Sequence, residues 1–102
     1  MPTLRQTCKD MLDAARKTEG RPIVRTLERG LMLAVLQDPG GNVALKLERA
    51  NTAPSEQEWQ TVVKSWPEPV PPDVVPQARK AGRRYALTAR WPRPALLGEA
   101  FK

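Results

Sequence analysis

Residues 31–49 read LMLAVLQDPGGNVALKLER, and the way this stretch folds decides the architecture. A strand-sized apolar run, Leu31 to Leu36, is followed by Asp38-Pro39-Gly40-Gly41-Asn42 and a second alternating run, Val43 to Arg49. Two such runs around a cluster of turn residues predict a β-hairpin. Pro39 suits the first corner of the turn, and Gly41 suits the left-handed residue that closes a three-residue loop. With that loop Val35 pairs with Leu45 and Leu33 with Leu47 on one face, while Ala34 meets Lys46 and Met32 meets Glu48 on the other. A two- or four-residue loop sets Leu33 against Lys46 and moves every buried side chain to the wrong face. The three-residue loop is therefore expected.

Upstream, residues 21–30 fit either an early extension of this strand or a short helical turn after Pro22. The strand is the expectation, with Gly30 marking a bulge or bend. Before it, Thr3 and Gln6 form a capping-box pattern, and Leu4, Cys8, Met11, Leu12 and Ala15 recur at helical spacing until Gly20. This predicts a helix over residues 4–18, with Lys9, Asp13 and Lys17 as a solvated charge ladder.

Downstream, Ser55 and Glu58 form a second capping box, with Pro54 before it. Trp59, Val62, Val63 and Trp66 then trace one apolar stripe that ends at Pro67. The two tryptophans are expected to cover the sheet. Five prolines between residues 67 and 76 rule out helix and central strand and predict a stiff extended connection. A last strand is expected from Arg84 to Trp91, with Tyr85, Leu87, Ala89 and Trp91 on one side and Arg84, Ala86, Thr88 and Arg90 on the other.

The expected fold is α+β, in the order helix-strand-strand-helix-strand, with a small three-stranded sheet and the helices mainly on one face. Residues 1–102 are read as a single compact domain, with the proline-rich connection at 67–76. A domain of this size buries about 65% of its unfolded surface, so it needs no staples. With Cys8 the sole cysteine, no intramolecular disulfide can form, and a reducing, cytoplasmic setting is expected. No run approaches the ~20 apolar residues of a spanning helix, so no membrane partner is expected. The sheet edges leave room for a homodimer by edge pairing.

Catalytic options are few. The chain has no histidine, which removes histidine-based triads and metal sites. Gly40-Gly41 precedes a strand, whereas phosphate cradles open a helix. Cys8 sits on an apolar stripe and reads as an inert thiol. No cofactor, metal site or catalytic residue is assigned. One enzyme class needs none of these: a small metal-free ribonuclease toxin, for which Arg83, Arg84, Tyr85 and Arg90 are the candidates.

Charge carries the functional expectation. The total is +6, and residues 1–20, 21–50, 51–75 and 76–102 contribute +1, +2, −3 and +6. The cations of the last segment are Arg79, Lys80, Arg83, Arg84, Arg90 and Arg93, with Lys102 at the end. Clustered cations displace the counterions condensed on phosphate backbones, so nucleic acid or a nucleoprotein complex is the expected partner. Tyr85 and Trp91 alternate away from the arginines, which argues for phosphate contact over base stacking. The alternative partner is an acidic protein surface, as for a phage or mobile-element accessory protein that inhibits a larger protein. The bland reading is a basic strand that confers solubility.

Overall fold

In the computed structural model, which describes residues 3–18 and 20–94, the chain is α+β with both α-helices on one face of a five-stranded antiparallel sheet. Two helices, α1 (Leu4–Lys17) and α2 (Glu56–Ser65), accompany strands β1 (Ile23–Thr26), β2 (Met32–Gln37), β3 (Asn42–Ala50), β4 (Gln77–Ala81) and β5 (Arg84–Pro92). Their order across the sheet is β1-β2-β3-β5-β4. No helix among the described residues is long and apolar enough to cross a membrane.

The β2–β3 hairpin has the expected register: Leu33 faces Leu47, Ala34 faces Lys46 and Val35 faces Leu45. Its loop is held from inside. The Asp38 carboxylate accepts the Asn42 backbone N–H at 3.0 Å, the Asp38 carbonyl accepts that of Gly41 at 3.0 Å, and Gly41 takes φ +84°. Few residues other than glycine adopt that conformation without strain.

Two strands enlarge the expected three-stranded sheet to five. Residues 23–26 do not extend β2. The chain reverses through consecutive left-handed residues, Arg29 (φ 58°) and Gly30 (φ 73°), and β1 returns antiparallel to β2. Gly30 therefore belongs to a turn. At the other edge, β4 precedes β5 through a two-residue Gly82-Arg83 turn, with Gly82 at φ +60°. All five β4 residues are exposed, so no apolar alternation announces the strand, and its ladder to β5 alone defines it.

The core lies between the helices and the sheet. Cys8, Met11, Leu12 and Ala15 of α1 and Trp59 and Val62 of α2 pack against Leu33, Val35, Val43, Leu45, Leu47 and Trp91. Full burial of each large apolar side chain contributes about 1.5–3 kcal/mol. Trp66, the C-cap of α2, is also buried and meets Trp91 edge to face at 6.0 Å. The sequence stripe over Trp59–Trp66 thus covers the sheet as expected.

The two N-caps differ. At α1 the Thr3 hydroxyl accepts the Gln6 N–H at 3.1 Å, but the Gln6 side chain turns to Asp10, leaving the box half formed. At α2 the box is complete, with the Ser55 hydroxyl accepting the Glu58 N–H at 3.0 Å and Glu58 accepting the Ser55 N–H at 2.8 Å. Both Arg49 Nη atoms of β3 also donate to Glu58, at 2.8 and 3.0 Å, which ties the helix start to the sheet. The Arg49 hydrogen bonds, with the cap, hold the Glu58 carboxyl down to about 2. A carboxyl depressed in the folded state stabilises above its unfolded pKa and loses that contribution as pH falls through the folded value. The stability difference between wild type and Glu58→Gln is therefore expected to be constant at neutral pH and to shrink as pH falls from about 4.5 towards about 2. Thermal melts across that pH series measure it.

Candidate nucleic-acid interface

Strand alternation sends one set of side chains to the helices and the other to an uncovered face. The register aligns Val24, Ala34, Lys46, Thr88 and Gln77 in one row across that face, and Thr26, Met32, Glu48, Ala86 and Arg79 in the next. Leu36, Ala44 and Arg90 form a third. The floor is built of small and apolar residues, and Lys46, Arg79, Arg84 and Arg90 supply its cations against the single strand carboxylate Glu48.

The proline-rich connection borders this face. Pro71, Asp73, Val74 and Val75 form one wall of an open trough of about 1100 Å³ floored by β2, β3 and β5. Val24 and Val75, 41% and 77% exposed, both line it.

The expected site residues fall into three groups. Arg84 and Arg90 are on the uncovered face but carry acidic partners. Arg84 lies across the sheet, donating to Glu48 at 2.9 Å and reaching the Met32 sulfur at 3.2 Å, while Arg90 is 3.7 Å from Asp38. Hydrogen bonding from Arg84 lowers the Glu48 carboxyl, and the Asn42 backbone N–H lowers that of Asp38. Both are anionic at neutral pH, so each offsets the charge of its arginine while the guanidinium stays partly exposed.

Arg79, Lys80 and Arg83 form the second group, and among the described residues none has an acidic partner within salt-bridge distance. Arg79 shares the uncovered face and donates to Gln77 at 3.0 Å. Lys80 is on the opposite face, 5.2 Å over the Tyr85 ring. Arg83 occupies the turn, whose position is fixed by the Asn51 N–H donating to the Arg83 carbonyl at 2.7 Å.

Arg93 stands apart. It donates to Glu68 at 2.8–3.2 Å, and Glu68, with a side chain 8% exposed, also accepts from Arg16 at 2.8 Å. This clasp joins α1, the proline-rich connection and the end of β5, so the charge of Arg93 is committed internally. Lys102 lies outside the described residues.

The residues considered for ribonuclease chemistry are not brought together. Tyr85 is on the helix side, and Arg84 and Arg90, on the other, are about 20 Å apart along the strand. Burial pushes the Cys8 thiol up to about 11, which keeps it protonated. Among the described residues no three Cys, Asp or Glu side chains gather as metal ligands. Sequence reasoning missed Lys46 and the trough; the pairing of Ala34 with Lys46 was the available signal for the first, while the second depends on where the proline segment passes. Compared with known proteins, the chain matches no family model, no curated protein and no solved structure.

Proposed function

We propose that this protein is a non-catalytic basic binding module that engages nucleic acid through the uncovered sheet face and the β4–β5 hairpin. The observation that carries the reading is the exposed run Gln77–Arg84, which holds Arg79, Lys80, Arg83 and Arg84 and no carboxylate. Arg90 and Lys46 extend the same field across the sheet. Cations fixed on a rigid sheet meet phosphates without the ordering cost that a flexible tail incurs. Such contacts set affinity and salt dependence and carry little sequence information.

The test is binding of labelled DNA and RNA of arbitrary sequence at ~50 mM salt, where phosphate binders hold tightly. Binding that weakens steeply towards ~200 mM supports the reading, and no binding to any nucleic acid at the lower salt defeats it. The double variant Arg84→Ala/Arg90→Ala is expected to weaken binding while its melting curve stays close to wild type, since exposed substitutions shift stability by only about 0.5 kcal/mol each. Circular dichroism beside the binding assay reads both.

A second reading, an inhibitor or adaptor seated on a larger protein, is favoured by Val24 and Val75 on the trough. An apolar contact of that kind strengthens or holds as salt rises, so the salt response separates the two.

A further inference from the structure

The outer strand of the hairpin is bare on both faces. Every residue from Gln77 to Arg84 is exposed, so the helix layer stops short of β4 and the sheet edge overhangs it. Adjacent cations on a strand point to opposite faces. Arg79, opposite Ala86, lies on the uncovered face with Arg84, whereas Lys80, opposite Tyr85, lies on the helix side. Arg83 sits at the tip between them. The cations therefore straddle an edge, whereas a surface that lies flat on a phosphate backbone needs them on one face only.

Resting on the nucleic-acid reading above, we infer that the β4 edge enters the major groove of duplex DNA, with Arg79 against one phosphate wall, Lys80 against the other and Arg83 at the leading end. The dimensions agree. One sheet layer with its side chains is about 10 Å thick, and the major groove of B-form DNA is about 12 Å wide and 8.5 Å deep. The minor groove, at about 6 Å, is too narrow. Five residues of strand span about 17 Å, half a turn of duplex. Ala78, Ala81 and Gly82 keep the edge slim between the charged side chains.

The same geometry disfavours other nucleic acids. Single strands are held by exposed aromatic rings on the cationic face. Here Trp59, Trp66 and Trp91 are buried, and Tyr85 lies beneath Lys80 on the helix side. Duplex RNA has a deep, narrow major groove that protein elements do not enter.

The experiment is fluorescence anisotropy at ~50 mM salt with a 20-base-pair DNA duplex, one of its strands alone, and the duplex RNA of the same sequence. The DNA duplex is expected to bind about tenfold or more tightly than either alternative, and Arg79→Ala and Lys80→Ala each to weaken it by a similar factor of about three to ten. Lys9→Ala, a cation on the polar face of α1, reports the effect of net charge alone and is expected to change affinity far less. Groove entry is overturned if the single strand or the RNA duplex binds as tightly as DNA, or if Arg79→Ala weakens binding and Lys80→Ala does not. It is also overturned if both variants self-associate with DNA affinity unchanged, which marks the cations as protection of an edge strand. Silence from all three nucleic acids removes the broader reading as well, and so differs from each of these outcomes.

Discussion

Replacing Trp91 with alanine is expected to lower stability by about 3–5 kcal/mol, the usual cost of removing a large buried aromatic. The ring is 1% exposed, faces the helices from β5 opposite Val43, and meets Trp66 edge to face. Trp66 closes α2, so the pair joins the end of that helix to the last strand. Domains of this size have about 5–15 kcal/mol in total, and the variant thus loses a large fraction of its margin. Urea unfolding followed by circular dichroism measures it, as a lower midpoint at unchanged slope. Trp91→Phe is expected to cost much less. The indole Nε1 atoms of Trp66 and Trp91 are buried with no hydrogen-bond partner, so phenylalanine keeps most of the packing and removes a desolvated donor. A loss below about 1 kcal/mol for the alanine variant excludes the packing described. Since Trp91 is buried in the core at the end of β5 remote from the Gly82-Arg83 turn, its folded fraction should keep wild-type nucleic-acid affinity.

What could be read from the chain follows from how local each signal is. The β2–β3 register was legible because two alternating runs and one loop admit a single solution that buries Leu33, Val35, Leu45 and Leu47 together. The facing of β5 was legible for the same reason. β4 was not, because QARKA offers no apolar residue larger than alanine and buries none, and its pairing is supplied by β5. β1 was half legible. Ile23 and Leu27 suggested extended chain, but the reversal depends on Arg29 accepting a left-handed conformation, which composition does not announce.

The same locality governs the site. Counting cations located the basic segment, and alternation placed Arg84 and Arg90 on the face away from Tyr85 and Trp91. Which charges are free was hidden, because the acids that hold them are distant in sequence: Glu48 is 36 residues from Arg84, and Glu68 is 25 from Arg93. Arg93 looked equivalent to Arg79 in a count. In the fold it belongs to a clasp with Glu68 and Arg16, and Arg79 does not.

That distinction sets the size of the largest binding effect. The combined substitution of Arg79, Lys80, Arg83 and Arg84 by alanine is expected to abolish most of the salt dependence of nucleic-acid binding. Each phosphate neutralised contributes about 0.9 to the slope of log affinity against log salt, so four contacts give about 3.6. Between ~50 and ~200 mM salt those four contacts account for a factor of about 150 in the wild type's loss of affinity. The variant should lose only the smaller factor due to Lys46 and Arg90. Its fold should persist, because all four positions are exposed and surface changes are each within about 0.5 kcal/mol. The one coupled position is Arg84, whose removal leaves Glu48 with Lys46 at 3.6 Å as a remaining partner. Arg93→Ala provides the contrast, since it strips Glu68 of one of two guanidiniums and should lower the melting temperature while leaving the salt slope unchanged. Measuring slope and melting temperature on both variants separates a charge that binds from a charge that builds, and equal slopes for wild type and the fourfold variant place the interface elsewhere.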